Sequence, residues 1–202
     1  MDHNDQTKSA YDSGVQKYLD GGIAQTEGDL KVWLDDALGK LPLGAKVLEV
    51  GAATGRDSLY MQAKGFEVVA ADLADGFIEH LQSLGLQTSQ FDLLGSDWPT
   101  GFDVVVAIAT FLHFEPDDLA TILARAKVCL NENGMLAFTV KEGDGPKWSD
   151  HKLDEPRYFY MWQANELTEF LDTNGWQVLD YQYGQTGYTN SHWHQITATP
   201  KA

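Results

Sequence analysis

From about Lys46 onward, short runs rich in β-branched residues alternate with longer amphipathic stretches. This alternation constrains the fold more than any other feature of the chain. Val47-Leu48-Glu49-Val50, Phe66-Glu67-Val68-Val69-Ala70, Thr88-Ser89-Gln90-Phe91, Phe102-Asp103-Val104-Val105-Val106 and Met135-Leu136-Ala137-Phe138-Thr139-Val140 read as five successive strands. Several are apolar throughout, as strands covered on both faces are. Between them, Asp57 to Ala63, Phe77 to Leu84 and Pro116 to Leu130 read as helices, the last with proline near its start and Gly134 just past its end. Such alternation builds βαβ units around a parallel sheet. Leu167, Phe170 and Leu171 mark one more helix, closed near Gly175, and then Trp176 to Tyr181 and His192 to Thr199 read as a pair of strands. The expectation is an α/β, doubly wound sheet of seven strands, mostly parallel, with a C-terminal antiparallel hairpin and helices on both faces.

A length of 202 residues suits one domain, 1–202. Ahead of the first strand, Leu30, Trp33, Leu34, Ala37 and Leu38 predict a helix, and a weaker pattern at Tyr11 to Leu19 predicts another. Residues 1–40 are therefore expected to form a helical cap over a ligand. Lys141 to Trp162 mixes glycine, proline, charge and aromatics without a period and reads as an insertion. The formal charge of −16, from 30 acidic against 14 basic residues, would repel a phosphate backbone and argues against nucleic acid and anionic membranes as partners. The start is polar and no apolar run approaches the roughly 18 residues a membrane span needs, so a cytoplasmic protein is expected. Cys129, the only cysteine, falls in an apolar stripe and reads as core.

Chemistry concentrates where strands end. Glu49-Val50-Gly51-Ala52-Ala53-Thr54-Gly55 joins the first strand to its helix, and open α/β sheets bind ligands beyond that end. Asp72 follows Gly51 by 21 residues and ends the second strand, where a carboxylate accepts hydrogen bonds from ribose hydroxyls. That spacing suits S-adenosylmethionine and a nicotinamide dinucleotide alike. The turn distinguishes them: Ala53 and Arg56 occupy the second and third positions of Gly-x-Gly-x-x-Gly, the fingerprint that seats a pyrophosphate. Glu49 would repel a pyrophosphate but favour the amino group of a methionine moiety. Asp92 is placed to meet the adenine amino group, and Leu73 and Leu93 its ring. Taken singly, such a turn is a tight connection and each Asp a helix cap; here they occur together and in order.

With these residues in place, Val47 onward resembles class I S-adenosylmethionine-dependent methyltransferases, over about three quarters of the chain. Val47 to Gly55 resembles their first motif, with Ala53 in place of its middle glycine, and Phe102 to His113 resembles the fourth-strand motif. The resemblance implies a Rossmann-like fold and places Ala107 and Ile108 beside the methionine part. More narrowly, Gly55-Arg56-Asp57-Ser58, Lys141-Glu142-Gly143 and Arg157-Tyr158-Phe159 resemble bacterial small-molecule methyltransferases of the tellurite-resistance type. It also implies that Tyr11 and Tyr18 fold over the cofactor and that the 141–162 insertion, with Arg157, Tyr158, Phe159 and Trp162, forms an acceptor pocket for an apolar or anionic small molecule.

The expected cofactor is S-adenosyl-L-methionine, leaving S-adenosyl-L-homocysteine, and the expected cofactor residues are Glu49, Gly51, Ala52, Ala53, Gly55, Arg56, Asp72, Leu73, Asp92, Leu93, Ala107, Ile108, Tyr11 and Tyr18. Methyl transfer needs chiefly alignment, because the sulfonium already activates the methyl. A hydroxyl or protonated amine would also need a base; His113 is the candidate, against a packing role behind the cofactor. His192 and His194 share a strand face, but without an acidic partner set or closer spacing no metal is expected. An NAD(P)-dependent oxidoreductase, a non-catalytic S-adenosylmethionine-binding regulator and a peptide acceptor stay open. Oligomeric state is not legible.

Overall fold

The computed structural model describes residues 2–22, 25–95, 97–185 and 191–201. Seven strands form one sheet: β1 (Lys46–Val50), β2 (Glu67–Asp72), β3 (Gln87–Gln90), β4 (Phe102–Ile108), β5 (Leu130–Lys141), β8 (Trp176–Gln185) and β9 (His192–Pro200), in the order β3-β2-β1-β4-β5-β9-β8. The first five run parallel, β9 lies antiparallel between β5 and β8, and the expected fold class holds. The order reverses between β1 and β4, which opens a crevice at their carboxyl ends.

Period-two alternation sends neighbouring side chains of each strand to opposite faces. Val47, Val104, Val106 and Ala137 pack on α2 (Gly28–Leu38) and α3 (Arg56–Ala63). Leu48, Val50, Val105, Leu136 and Phe138 pack with α5 (Pro116–Cys129) and α6 (Ala164–Thr173). The fifth helix shows why the sequence folds locally. Pro116 opens it, Asp117 and Asp118 sit in its first turn and Lys127 in its last, matching the helix dipole, and Leu119, Ile122, Leu123 and Ala126 form its buried stripe. Burial of each Leu and Ile there contributes roughly 1.5–3 kcal/mol. Cys129 ends that stripe, fully buried, and burial pushes its thiol up to about 12. α4 (Asp75–Ser83) crosses between β2 and β3, packing Ile78 and Leu81 on Ala70.

Two stretches differ from expectation. Lys141 to Trp162 is not irregular throughout: β6 (Gly145–Ser149) and β7 (Arg157–Met161) pair as an antiparallel hairpin. And α1 (His3–Asp20) begins well before the predicted Tyr11. Its buried seam is Thr7, Ala10 and Gly14, residues too small to raise an apolar periodicity but small enough to let the helix lie close. The Tyr158 N–H donates to Thr7 Oγ1 at 2.9 Å, and a side chain at Gly14 would meet Leu153. Among the described residues, no helix is long and apolar enough to cross a membrane.

Candidate active site

The turn after β1 is built by close approach. Gly51 has φ +71°, and a Cβ there would stand 2.3 Å from Thr110 Oγ1, which lies 3.1 Å from the Val50 carbonyl and donates toward it. Gly51 is thus fixed both by its left-handed backbone and by lack of room. Ala53 takes φ +44° and Ala109, just past β4, φ +53°, so two non-glycine residues hold left-handed backbone on either side of the crevice. Left-handed backbone at alanine is uncommon and clusters at ligand sites.

Asp72 ties the turn to β2. One carboxylate oxygen accepts the Ala53 N–H at 3.0 Å, the other those of Leu73 at 2.8 Å and Ala74 at 3.2 Å. Burial nevertheless raises its pKa, outweighing three donors that stabilise the charge. Asp92 is exposed and accepts the Leu94 N–H at 2.9 Å.

These strand ends and α1 enclose a cavity of about 220 Å³. Of the expected cofactor residues, Gly51, Ala53, Asp72, Leu73, Asp92, Leu93, Ile108, Tyr11 and Tyr18 line it, as does His113. Five do not. Ala52 and Ala107 point into the core, and Gly55 caps α3 against Leu81 and Leu86. Glu49 shares the face of Val47, so its carboxylate turns beneath the turn and accepts a hydrogen bond from Ser58 Oγ on α3. Burial, then the neighbouring Asp57 charge, push Glu49 up to about 8. Arg56 is held by Asp57 through Nε at 2.9 Å and Nη2 at 2.5 Å, and Thr26 Oγ1 donates to the same carboxylate. Glu49, expected to favour a methionine amino group directly or through water, thus lies under the cavity floor and does not line the cavity.

The expected cap over residues 1–40 supplies a cavity wall through side chains that no sequence pattern singles out. Asn4, Asp5, Thr7, Lys8 and Asp12 line the cavity beside Tyr11. Their only legible signal was proximity to Tyr11.

His113 is buried and fully engaged. Its Nδ1 lies 2.7 Å from the Tyr158 carbonyl, an acceptor, so Nδ1 carries the proton. Nε2 then accepts from the Tyr11 hydroxyl at 2.9 Å, and that hydroxyl accepts from Arg157 Nη1 at 3.1 Å. Burial, aided by the Arg157 and Lys141 charges, lowers His113 to about 4, so it is neutral at neutral pH. A neutral imidazole with both nitrogens occupied is not a free base. It holds Tyr11 in place.

None of the four expected acceptor residues lines the cavity itself. Arg157 and Phe159 stand directly behind Tyr11 and His113, with the Phe159 and His113 rings 4.8 Å apart. Tyr158 turns away to Glu115 and Trp148, and Trp162 packs at a tilt against the rings of Tyr160 and Phe170 in the core. His194 is bound by Tyr181 and the Trp162 carbonyl, and His192 stacks on Tyr183.

Residues 23–181 match the family described as a methyltransferase domain. An uncharacterized methyltransferase of Staphylococcus carnosus is 28% identical over 138 residues, 67% of this chain and 64% of that protein. A probable S-adenosyl-L-methionine-dependent methyltransferase TehB of Haemophilus influenzae is 24% identical over 144 residues, 67% of this chain and 47% of that protein. The chain thus spans less than two thirds of the length of these relatives. Among solved structures, the 1,6-didemethyltoxoflavin-N1-methyltransferase of Burkholderia thailandensis, holding 1,6-didemethyltoxoflavin and S-adenosylhomocysteine, superposes with TM-score 0.77 at 24% identity, covering 96% of this chain and 88% of that one.

Proposed function

The chain belongs to the methyltransferase domain family, and from that premise we propose that it transfers the methyl group of S-adenosylmethionine to a small-molecule acceptor by in-line displacement. The observation that carries the reading is the cavity at the carboxyl ends of β1 to β4, where a turn with no room for a side chain at Gly51 meets the half-buried carboxylate of Asp72. Those are the needs of a nucleoside whose ribose is held by an acid and whose tail runs along backbone.

When bound, S-adenosylmethionine supplies an electrophilic methyl on a sulfonium. The residues of this chain bind, orient and exclude water. Asp72 suits the ribose hydroxyls, Leu73, Leu93 and Phe91 the adenine faces, and exposed Asp92 its amino group. Gly51 and Ala53 bring backbone close to the methionine part. Among the described residues, Asp72 is the carboxylate of the floor with no cation against it, because Asp57 is paired with Arg56 and Glu49 holds its proton at neutral pH; an acid there suits a sulfonium and an amino group better than a pyrophosphate. Tyr11 and Tyr18, on α1, close over the site, with Tyr11 fixed by His113 and Arg157. We take 1–202 as one domain, 1–40 as its cap and 141–162 as the insertion that shapes acceptor binding; the net charge sets the acceptor against nucleic acid.

Calorimetry with S-adenosylhomocysteine, NAD and NADP tests this. S-adenosylhomocysteine alone is expected to bind, and tight NAD binding without it would overturn the reading. A screen for transfer of labelled methyl from S-adenosylmethionine then separates an enzyme from a regulator.

A further inference from the structure

We propose that Arg157 and Lys141 bind an anionic oxygen group, a carboxylate in the first instance, carried by the methyl acceptor. This rests on the methyltransferase reading above and narrows it to a substrate class.

Arg157 is only 5% exposed, yet its charge meets no carboxylate among the described residues. Among the described residues its one side-chain hydrogen bond goes to the neutral Tyr11 hydroxyl and its buried Nε has no partner, and its guanidinium lies over the rings of Tyr11 at 5.4 Å and Phe159 at 5.3 Å. Lys141, the last residue of β5, repeats the pattern: Nζ stands 5.1 Å from the centroid of the same Phe159 ring and 5.4 Å from that of Trp193, with no ion pair among the described residues. The nearby acids are engaged elsewhere, Asp154 with Lys17 and Glu142 with Tyr183 and His192.

Buried guanidinium groups are ordinarily paired. This protein carries 30 acidic residues and leaves two cations together around one aromatic ring with none of those acids against them. Burial and the Arg157 charge hold Lys141 below the ordinary lysine range, as repulsion between unneutralised neighbours requires. A ligand anion would supply the missing charge, and a planar carboxylate matches the guanidinium fork.

The cofactor's own carboxylate offers the same chemistry, but position favours the acceptor. Ile108, at the carboxyl end of β4, lines the cavity, and Thr139 is its partner on β5, two residues before Lys141. Lys141 therefore lies at the mouth end of the sheet, two strands from the β1 turn, or about 10 Å at ordinary strand spacing.

The test uses matched pairs of small aromatic acids and their amides, 4-hydroxybenzoate with 4-hydroxybenzamide and 3-aminobenzoate with 3-aminobenzamide, titrated by calorimetry into the full chain saturated with S-adenosylhomocysteine. The acids are expected to bind at least tenfold more tightly than the amides. Lys141→Met should cut that preference below threefold while its affinity for S-adenosylhomocysteine stays within twofold and its Tm is no lower than the parent's. Lys141→Arg should retain the preference. Acids binding no better than amides, absence of binding by both included, overturns the proposal. So does a loss of S-adenosylhomocysteine affinity in Lys141→Met as large as the loss for acids, which would assign the cations to the cofactor. Failure of the parent to bind S-adenosylhomocysteine sinks the methyltransferase reading itself, whereas binding without acid preference sinks this proposal alone.

Discussion

The two sides of the cavity are made of different materials. The strand-end side is backbone and carboxylate: a turn without room for a side chain, Asp72 bound to three N–H groups, and Glu49 and Asp57 below the floor. The α1 and β7 side is aromatic and cationic, a chain of contacts from Arg157 through Tyr11 and His113 to the Tyr158 carbonyl, joining segments more than a hundred residues apart. The first is assembled from strand, turn and helix in sequence order and depends on sterics. The second is held by side-chain hydrogen bonds and depends on protonation. Substitutions on the strand-end side should therefore act on cofactor affinity and backbone geometry, and those on the other on closure and acceptor binding.

The sharpest way to break the contrast is Gly51→Ala. The added methyl meets Thr110 and the residue must hold φ +71°, so overpacking of about 1–3 kcal/mol adds to about 1–2 kcal/mol of left-handed strain. S-adenosylhomocysteine affinity measured by calorimetry should fall at least a hundredfold, and a fall under tenfold would show that the turn yields.

Next in size is a pH effect on the aromatic side. His113 is lowered to about 4 in the fold from about 6.5 unfolded, so the unfolded chain takes up the proton first. Its contribution is fully present above about pH 6.5 and is lost as pH falls towards 4. The shift corresponds to about 3 kcal/mol. Denaturant titrations at pH 7 and pH 4.5 should show His113→Gln losing much less stability on acidification than the parent; equal losses would mean His113 is reachable by water and the relay is loose.

Tyr11→Phe removes two hydrogen bonds and leaves His113 Nε2 and one Arg157 donor unpaired. It should destabilise by about 1–3 kcal/mol in chemical denaturation. If the two sides are separable, S-adenosylhomocysteine affinity changes less than fivefold.

Ala53→Gly is the smallest. Relief of left-handed strain is offset by unfolded-chain entropy, so stability should move by less than about 1 kcal/mol, while cofactor affinity stays equal or rises. A fall in affinity would mean that the Ala53 methyl itself packs on the ligand.

The cofactor side was legible because its signals are local. A strand, a Gly turn and an acid at a fixed spacing carry their geometry in the backbone, and Gly51, Asp72, Asp92 and Ile108 come together around one cavity. Glu49 shows the limit. Alternation puts it on the face of Val47, but which face looks onto α3 and which onto the crevice depends on how the helices cover the sheet. The sequence marks an acid beside the turn, and only the packing of α3 shows that its carboxyl lies under the cavity floor, where burial pushes it up to about 8.

The sequence by itself determined the seven-stranded α/β sheet, its C-terminal hairpin and the end of the sheet where a nucleoside fits, because two-residue and near-four-residue periods and turn chemistry act over a few positions. Only the tertiary structure decided that α1 starts at His3 and which of its side chains face the cavity, that residues 145–161 include a hairpin, that His113 holds Tyr11 through Nε2, and that Arg157 and Lys141 stand together without an acid among the described residues. Each of those joins residues far apart in the chain through side-chain packing or charge, and no local pattern encodes which distant partner arrives.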